Sequence, residues 1–437
     1  MAAQRVDHLR SVTDAGLRTW GCIVAFGATI GLILNELGRN VVLPVPPLLA
    51  RFGPGPRPGV LLPLAVGATL IVAMPNAVER FRWRTLLASV PLAATGWTLA
   101  LALAEGTSGL TRGPSSRTDY LADVPRVRAD PAGFLRHFTA DIDRYEIHVR
   151  GHPPGMVLLL TGLDRLGLGG ASWEAAVVIV LAATAPVAVL LVLRDVAGEE
   201  AARRAFPWLV LTPAAIWIAT SADALYMAVG AWAIALVVLG SGRRSAVGTL
   251  MAIAGGVLGG LVLLGSYGLI LLATVPVAVL WSRRRDGRGT FRTVAVSVVA
   301  ATAVLVAMLP LGYSWIDGLR ATRHEYQILD IDRPYWAFLS INLSAWSLAL
   351  GPATFMGLAR LRDRRLWFVV GGGIAAAALA NLSGLSSGEV ERIWLPFTLW
   401  VLPAGAALST DRRLMRTGLA LQALSAIVLI SIVTTEW

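Results

Sequence analysis

The sequence predicts an all-α, polytopic membrane protein of about thirteen transmembrane helices, with amphipathic surface helices in one large extracytoplasmic loop. Three observations predict it. Of the 437 residues, 56% are hydrophobic and 15% charged, and mean hydropathy is +0.66. Apolar stretches of 16 to 20 residues recur from end to end, close to the length a helix needs to cross about 30 Å of hydrocarbon. Arginine is dense in alternate connectors between those stretches, as expected of loops kept on the cytoplasmic side.

The spans follow in order. Apolar runs predict helices at 20–38, 59–77, 85–104, 174–193, 206–222, 224–240, 246–264, 268–281, 291–311, 336–356, 366–381, 393–410 and 417–435. The arginine-dense connectors are 1–19, 78–84, 194–204, 241–245, 282–292, 357–365 and 411–416. Placing these inside puts 39–58, 105–153, 223, 265–267, 312–335 and 382–392 outside, with the N-terminus inside and the C-terminus outside. A multi-pass protein of the cell (plasma) membrane is expected, its whole length 1–437 forming one domain. All 38 basic residues are arginine; because topology explains them, the net charge of +11 argues for no nucleic-acid partner. The lone cysteine, Cys22, lies in an apolar run, which leaves neither a disulfide framework nor a cysteine metal cluster. The first apolar run is long and no A-x-A site follows it, so no cleavable signal is expected.

This arrangement requires that residues 155–168, "GMVLLLTGLDRLGL", do not cross. Fourteen residues carrying Asp164 and Arg165 are too short to span at 1.5 Å per residue. A re-entrant or interfacial helix returning to the outer face is expected. The preceding "HPPG", with Pro153 and Pro154, is its rigid start. The longest polar segment, 105–153, predicts two short surface helices. Leu121, Val124 and Val127 share one helical face, as do Phe134, Leu135 and Phe138. Asp130 is the expected N-cap of the second, with Pro131 at its first position. "GGVLGG" and "GGGIAAAALA" read as helix-packing surfaces, since no strand precedes them.

Polar residues that topology does not explain collect on the outer side. They are Asp119 and Asp123 in "TDYLADV"; His148, Arg150 and His152 in "HVRGHPPG"; Asp223 in "TSADALY"; and Tyr267 in "LLGSYGLILL". The long loop "RATRHEYQILDIDRPYW" adds Arg323, His324, Glu325, Asp330, Asp332 and Arg333, and "SSGEVERIWLPF" adds Glu389, Glu391 and Arg392. A loop aspartate taken alone is usually solvated or a cap. Asp223, between two apolar runs, is costlier to leave unpaired and reads as functional or paired. Glu389, Glu391 and Arg392 also fit a plain interfacial salt-bridge cluster, with Glu391 neutralising Arg392. His148 and His152 stand four apart, but Gly151 and Pro153 argue against a helix joining them, and a zinc site needs more ligands. The sequence therefore assigns no cofactor and no metal ligand, and leaves a divalent metal open.

Taken together, the outer loop with its early carboxylate, the "GHPPG" turn, the aspartate at the head of a later helix and the closing "GEVERIWLPF" resemble the GT-C superfamily of membrane glycosyltransferases. The likeness covers roughly residues 85–285 in layout, and within the superfamily the chain resembles the polyprenyl-phosphate-sugar-dependent mannosyl- and arabinosyltransferases of actinobacterial type. It departs from the aminoarabinose and O-mannosyl branches in lacking their Asp-Glu pair, because Tyr120 follows Asp119. The resemblance implies an inverting hexosyl- or pentosyltransferase whose partners are a polyprenyl-phosphate sugar donor, a glycan, glycolipid or peptide acceptor, and the bilayer. It implies Asp119 as general base with Asp123 second. Arg150, His152, Arg323 and Arg392, with Tyr267, would meet the donor phosphate. His148, Asp223, Glu389 and Glu391 would complete the site. The rival reading is a polytopic transporter or lipid flippase, against which stand the absence of a detectable internal repeat and the gathering of polar residues at one face. A surface-polysaccharide polymerase or ligase would share the outer-face site but not the double-proline turn.

Overall fold

The computed structural model describes residues 2–55, 57–219, 221–243, 245–283, 288–328 and 331–435. Among them the chain is a helical bundle. Nine helices are long and apolar enough to cross a membrane: Ser11–Glu36, Pro58–Arg80, Trp83–Glu105, Ala171–Ala197, Ala222–Ser241, Ala246–Leu263, Thr290–Leu311, Arg364–Ser383 and Arg412–Ile432. Two shorter apolar helices, Tyr267–Ser282 and Leu395–Leu408, lie where spans are expected. The remaining two expected spans are each broken, for the same reason. Within 206–222 the helix Glu199–Val210 stops and a 3-10 turn Pro213–Trp217 follows. Proline disfavours the helical conformation of the residue before it, and Thr212 is extended at ψ 144°. Its carbonyl is taken by the Trp97 indole at 2.9 Å. Within 336–356 the break falls at Gly351, φ +73°, between helices Tyr335–Leu350 and Pro352–Arg360. The fully buried Gln422 spans this gap, donating to the Leu350 carbonyl at 2.9 Å and accepting from the Ala353 amide at 3.2 Å. A Cβ on Gly351 would come within 2.1 Å of that same Gln422 oxygen, so the break and its bridge specify each other.

The connectors sort onto two ends of the bundle. At one end the strand Ala50–Phe52 pairs antiparallel with Val433–Thr435, a short ribbon that apolar patterning does not signal. Arg57 joins the same end to Glu105 at 2.5 Å. Arg39 pairs with Asp332 at 2.5 Å, and Arg333 donates to the carbonyls of Val41 and Ser387. Segments 39–58, 105, 332–333, 387 and the C-terminal strand therefore share one face. At the other end Arg412 pairs with Glu79 at 2.6 Å, Arg203 donates to the Phe81 carbonyl at 2.7 Å, and Arg283 reaches Asp195 at 2.5 Å. These are the arginine-dense connectors. Asp330 lies outside the described residues.

Helix Gly155–Arg165 has 11 residues, about 16 Å of rise, and begins and ends at the first face. Its opening amide, Gly155, donates to the Leu264 carbonyl at 2.8 Å. A Cβ there would meet that oxygen at 2.3 Å, which is why glycine follows the two prolines. Its far end is fixed by an Arg128–Asp164 ion pair at 2.7 Å and by Arg165 donating to the Arg128 carbonyl. The loop ahead of it folds into short helices, Val124–Ala129 and Pro131–His137, the second capped by Asp130 accepting from the Gly133 amide at 2.8 Å. Val124, Val127, Phe134, Leu135 and Phe138 are all buried against the bundle. "GGVLGG" packs on a neighbouring helix, its Gly256 lying against the Ser297 carbonyl and Gly260 against Val304.

Candidate functional site

The loop 105–146, the elbow His148–Gly155 that carries the double-proline turn, and two helix starts meet in one buried polar cluster. Asp119 begins a 3-10 turn, Tyr120–Ala122, and one of its oxygens accepts from the Tyr120 amide at 2.6 Å. The other oxygen faces Nδ1 of His148 at 3.6 Å. His148 sits on a single helical turn, Ile147–Gly151. Gly151 and Pro153 thus do not prevent a turn there; they end it after five residues. The turn stacks His148 on Tyr120, with ring centroids 5.6 Å apart. His152 closes the turn, its Nδ1 donating to the His148 carbonyl at 2.9 Å, with its ring edge-on to Tyr120.

Arg392 organises the far side. It lies on a one-turn helix, Val390–Ile393, entered through Gly388 at φ +87° and Glu389 at φ +58°. A left-handed glutamate is strained by about 1–2 kcal/mol. The turn it makes aims Arg392 Nη2 at Glu389 Oε2, 2.6 Å away. Arg392 Nη1 donates to Asp223 Oδ2 at 2.7 Å, and Nη2 also reaches His148 Nε2 at 3.2 Å. Asp223 occupies the first turn of Ala222–Ser241, where the helix dipole favours a carboxylate. Ser221 caps that helix, accepting from the Asp223 amide at 3.1 Å and donating to its carboxylate at 2.9 Å.

A guanidinium has only donors, so His148 Nε2 must accept from Arg392. Burial, with the Arg392 charge second, holds His148 down at about 3, so the ring is neutral and its proton is on Nδ1, toward Asp119. Removal from solvent lowers His152 as well. Burial pushes the Asp119 carboxyl up to about 6, opposed by the Tyr120 amide and by Arg392 and aided by Asp223. The result is an ordered array: two carboxylates hold Arg392, Arg392 fixes His148, and His148 faces Asp119 at 3.6 Å, beyond direct hydrogen-bond length.

The other candidate residues divide clearly. Asp123 accepts from the Glu146 amide at 2.7 Å, tying the start of the loop to its end, and burial raises its carboxyl. Arg150 shares the elbow turn, donates to Glu325 at 3.5 Å, and accepts at its carbonyl from Thr322 at 2.8 Å. Helix Trp315–Ile328 thereby clamps the elbow, with Arg323 on its exposed face. Tyr267 hydrogen-bonds Tyr313 at 3.0 Å and packs edge-on to Trp315, so it supports that layer and is not held by the arginine cluster. Arg392 is paired with Asp223 and Glu389. Glu391 is 1% exposed, both its oxygens lack a hydrogen-bond partner among the described residues, and burial raises it to about 8 against the opposing charges of Arg392 and Arg333.

Two residues escaped the sequence reading. Glu174, 3% exposed in the first turn of Ala171–Ala182, feels the charge of Asp119. The buried Tyr226 hydroxyl lies in electrostatic range of Asp223, Asp119 and Glu174. Tyr226 is three residues after Asp223 and hence on its helical face, a signal that was available. Glu174 reads as an ordinary first-turn glutamate, and nothing local distinguishes it. Among the described residues, no group of three or more His, Cys, Asp or Glu is placed to hold a metal ion.

No family model matches the chain, and no curated protein does. Among solved structures, apo ArnT from Cupriavidus metallidurans is similar over 72% of this chain and 60% of its own, at 17% identity and a TM-score of 0.46. The apo oligosaccharyltransferase of Archaeoglobus fulgidus is similar over 82% and 57%, at 11% identity and a TM-score of 0.49. The chain thus spans under two thirds of the length of either.

Proposed function

We propose that the protein is a membrane glycosyltransferase that moves a sugar from a polyprenyl-phosphate donor to an acceptor hydroxyl at the extracytoplasmic face. The observation that carries this reading is Asp119: a buried carboxylate held near 6, facing a neutral histidine, at the junction of the outer loop and the bundle. Such a group is ionised at neutral pH yet basic enough to take a proton from a hydroxyl as it attacks the anomeric carbon. The acceptor oxygen forms the new glycosidic bond, the bond from that carbon to the donor phosphate breaks, and polyprenyl phosphate leaves with the electron pair. His148, its proton directed to Asp119, orients the base. Asp223 and Glu389 hold Arg392, which fixes that histidine.

The phosphate side of the donor is assigned to Arg150, with His152 beside it on the same turn. Arg150 is partly exposed and paired only loosely, at 3.5 Å, so a phosphate can compete for it. Arg392 is engaged by two carboxylates and acts through the array; Arg323 and Tyr267 are not needed at the reacting atoms. The sugar is a hexose or a pentose, and the acceptor hydroxyl belongs to a glycan, glycolipid or peptide. Asp119→Asn is expected to lower kcat by about 10²–10⁴-fold while donor binding persists. Arg150→Gln is expected to raise the KM for the lipid donor with a smaller change in kcat. Full activity in Asp119→Asn together with loss in Asp123→Asn would move the base by one turn.

A further inference from the structure

At the end of the bundle opposite the polar cluster, a cleft of about 630 Å³ opens between the start of the first long helix, the connector 361–363 and residues 406–410. Helix Arg364–Ser383 runs from this cleft toward the other face over 20 residues, or about 30 Å, so this is not part of the site above. Arg204, Arg360 and Arg362 line it with Asp363, over an apolar floor that includes Val12 and Leu366. Asp363, the one acid among these lining residues, accepts through a single oxygen from the amides of Arg365 at 2.8 Å and Leu366 at 3.4 Å, capping its helix; three arginines against one carboxylate leave the lining net positive. Arg204 pairs with Glu200, whose side chain is 76% exposed; such a surface pair is worth little, so a phosphate can compete with it. Arg360 is fixed in position by donating to Thr13 at 3.1 Å.

Positive-inside topology explains arginines scattered along this face; it does not explain three converging on one concave, partly apolar cleft. We infer that this cleft binds the phosphate headgroup of an anionic glycerophospholipid from the leaflet at that end. Guanidinium forks match a phosphate diester in geometry and charge. The apolar floor suits the start of an acyl chain, for which a soluble anion has no use. Basic pockets between transmembrane helices on the arginine-rich side are where such headgroups are recognised. The site is independent of the transfer chemistry.

The test uses the full chain in nanodiscs of phosphatidylcholine with a minor fraction of phosphatidylglycerol, followed by detergent exchange and native mass spectrometry. The wild type is expected to retain one phosphatidylglycerol in preference to phosphatidylcholine. Arg204→Gln/Arg362→Gln is expected to retain at least about tenfold less, since two charge-assisted contacts are lost. Arg362→Gln alone, at an exposed position, gives a partial loss and guards against misfolding of the double variant. Arg243→Gln, exposed at the same end but outside the cleft, should leave retention unchanged. Equal retention in the Arg362 variant, equal retention of phosphatidylcholine, the same loss in Arg243→Gln, or displacement of the lipid by inorganic phosphate would each overturn the assignment.

Discussion

At the scale of the residue, the site depends on how one buried cation is shared. Arg392 and Asp223 have side chains only 7% and 4% exposed, and Glu389 completes the triad. Removing one member of a buried pair strands the other, which costs about 3–5 kcal/mol. Arg392→Gln should therefore lower the thermal midpoint strongly in detergent, and adding Asp223→Asn should restore part of the loss; a thermal-shift double-mutant cycle reads both. The same triad sets the pH response. A general base works only when ionised, so transfer should fall as pH drops through about 6, where Asp119 titrates. Asp223 raises Asp119 and Arg392 lowers it. The acid limb of the pH–rate profile should accordingly move to lower pH in Asp223→Asn and to higher pH in Arg392→Gln. A merely structural role for the triad would change the amplitude and leave the limb in place.

At the scale of the element, the broken helices show where patterning is informative and where it stops. Apolar runs locate helices, and prolines with glycines announce the short ones, which is why Gly155–Arg165 was legible with its capped neighbour at Asp130. Runs 206–222 and 336–356 look continuous because hydropathy does not register a backbone break. Pro213 and the Gly351–Pro352 pair were the local signals. The bridge that makes the second break tolerable, Gln422, lies 71 residues beyond Gly351 and could not be read from either alone. Gln422→Leu leaves the Leu350 carbonyl and the Ala353 amide buried without their partner, a destabilisation of about 1–3 kcal/mol, measurable as a lower unfolding midpoint in a fixed detergent. The ribbon of Ala50–Phe52 with Val433–Thr435 was illegible for a similar reason: its two halves are three residues each and nearly the whole chain apart.

At the scale of the whole molecule, charge asymmetry carries the expected topology, and the structure gathers the loops expected outside at one end and the arginine-dense connectors at the other. With Cys22 replaced, a cysteine at Ser115 should react with an impermeant maleimide from outside the cell, and one at Gly242 only after permeabilisation. The reverse sidedness would invert the arrangement. The candidate site was half visible in the sequence. Its loop aspartate, elbow histidine, helix-head aspartate and closing arginine were each identifiable as polar residues that topology did not need. Their mutual order was not, because Asp119, His148, Asp223 and Arg392 meet only through tertiary packing; nor were Glu174 and the commitment of Tyr267 to Tyr313. The most direct test of the central claim is chemical. Proteoliposomes holding the purified protein and a polyprenyl-phosphate sugar labelled in both lipid and sugar, with an acceptor outside, separate transferase from flippase. A transferase gives Asp119-dependent release of polyprenyl phosphate matched by sugar on the acceptor. Intact donor crossing the bilayer with no bond broken, unaffected by Asp119→Asn, would contradict the claim.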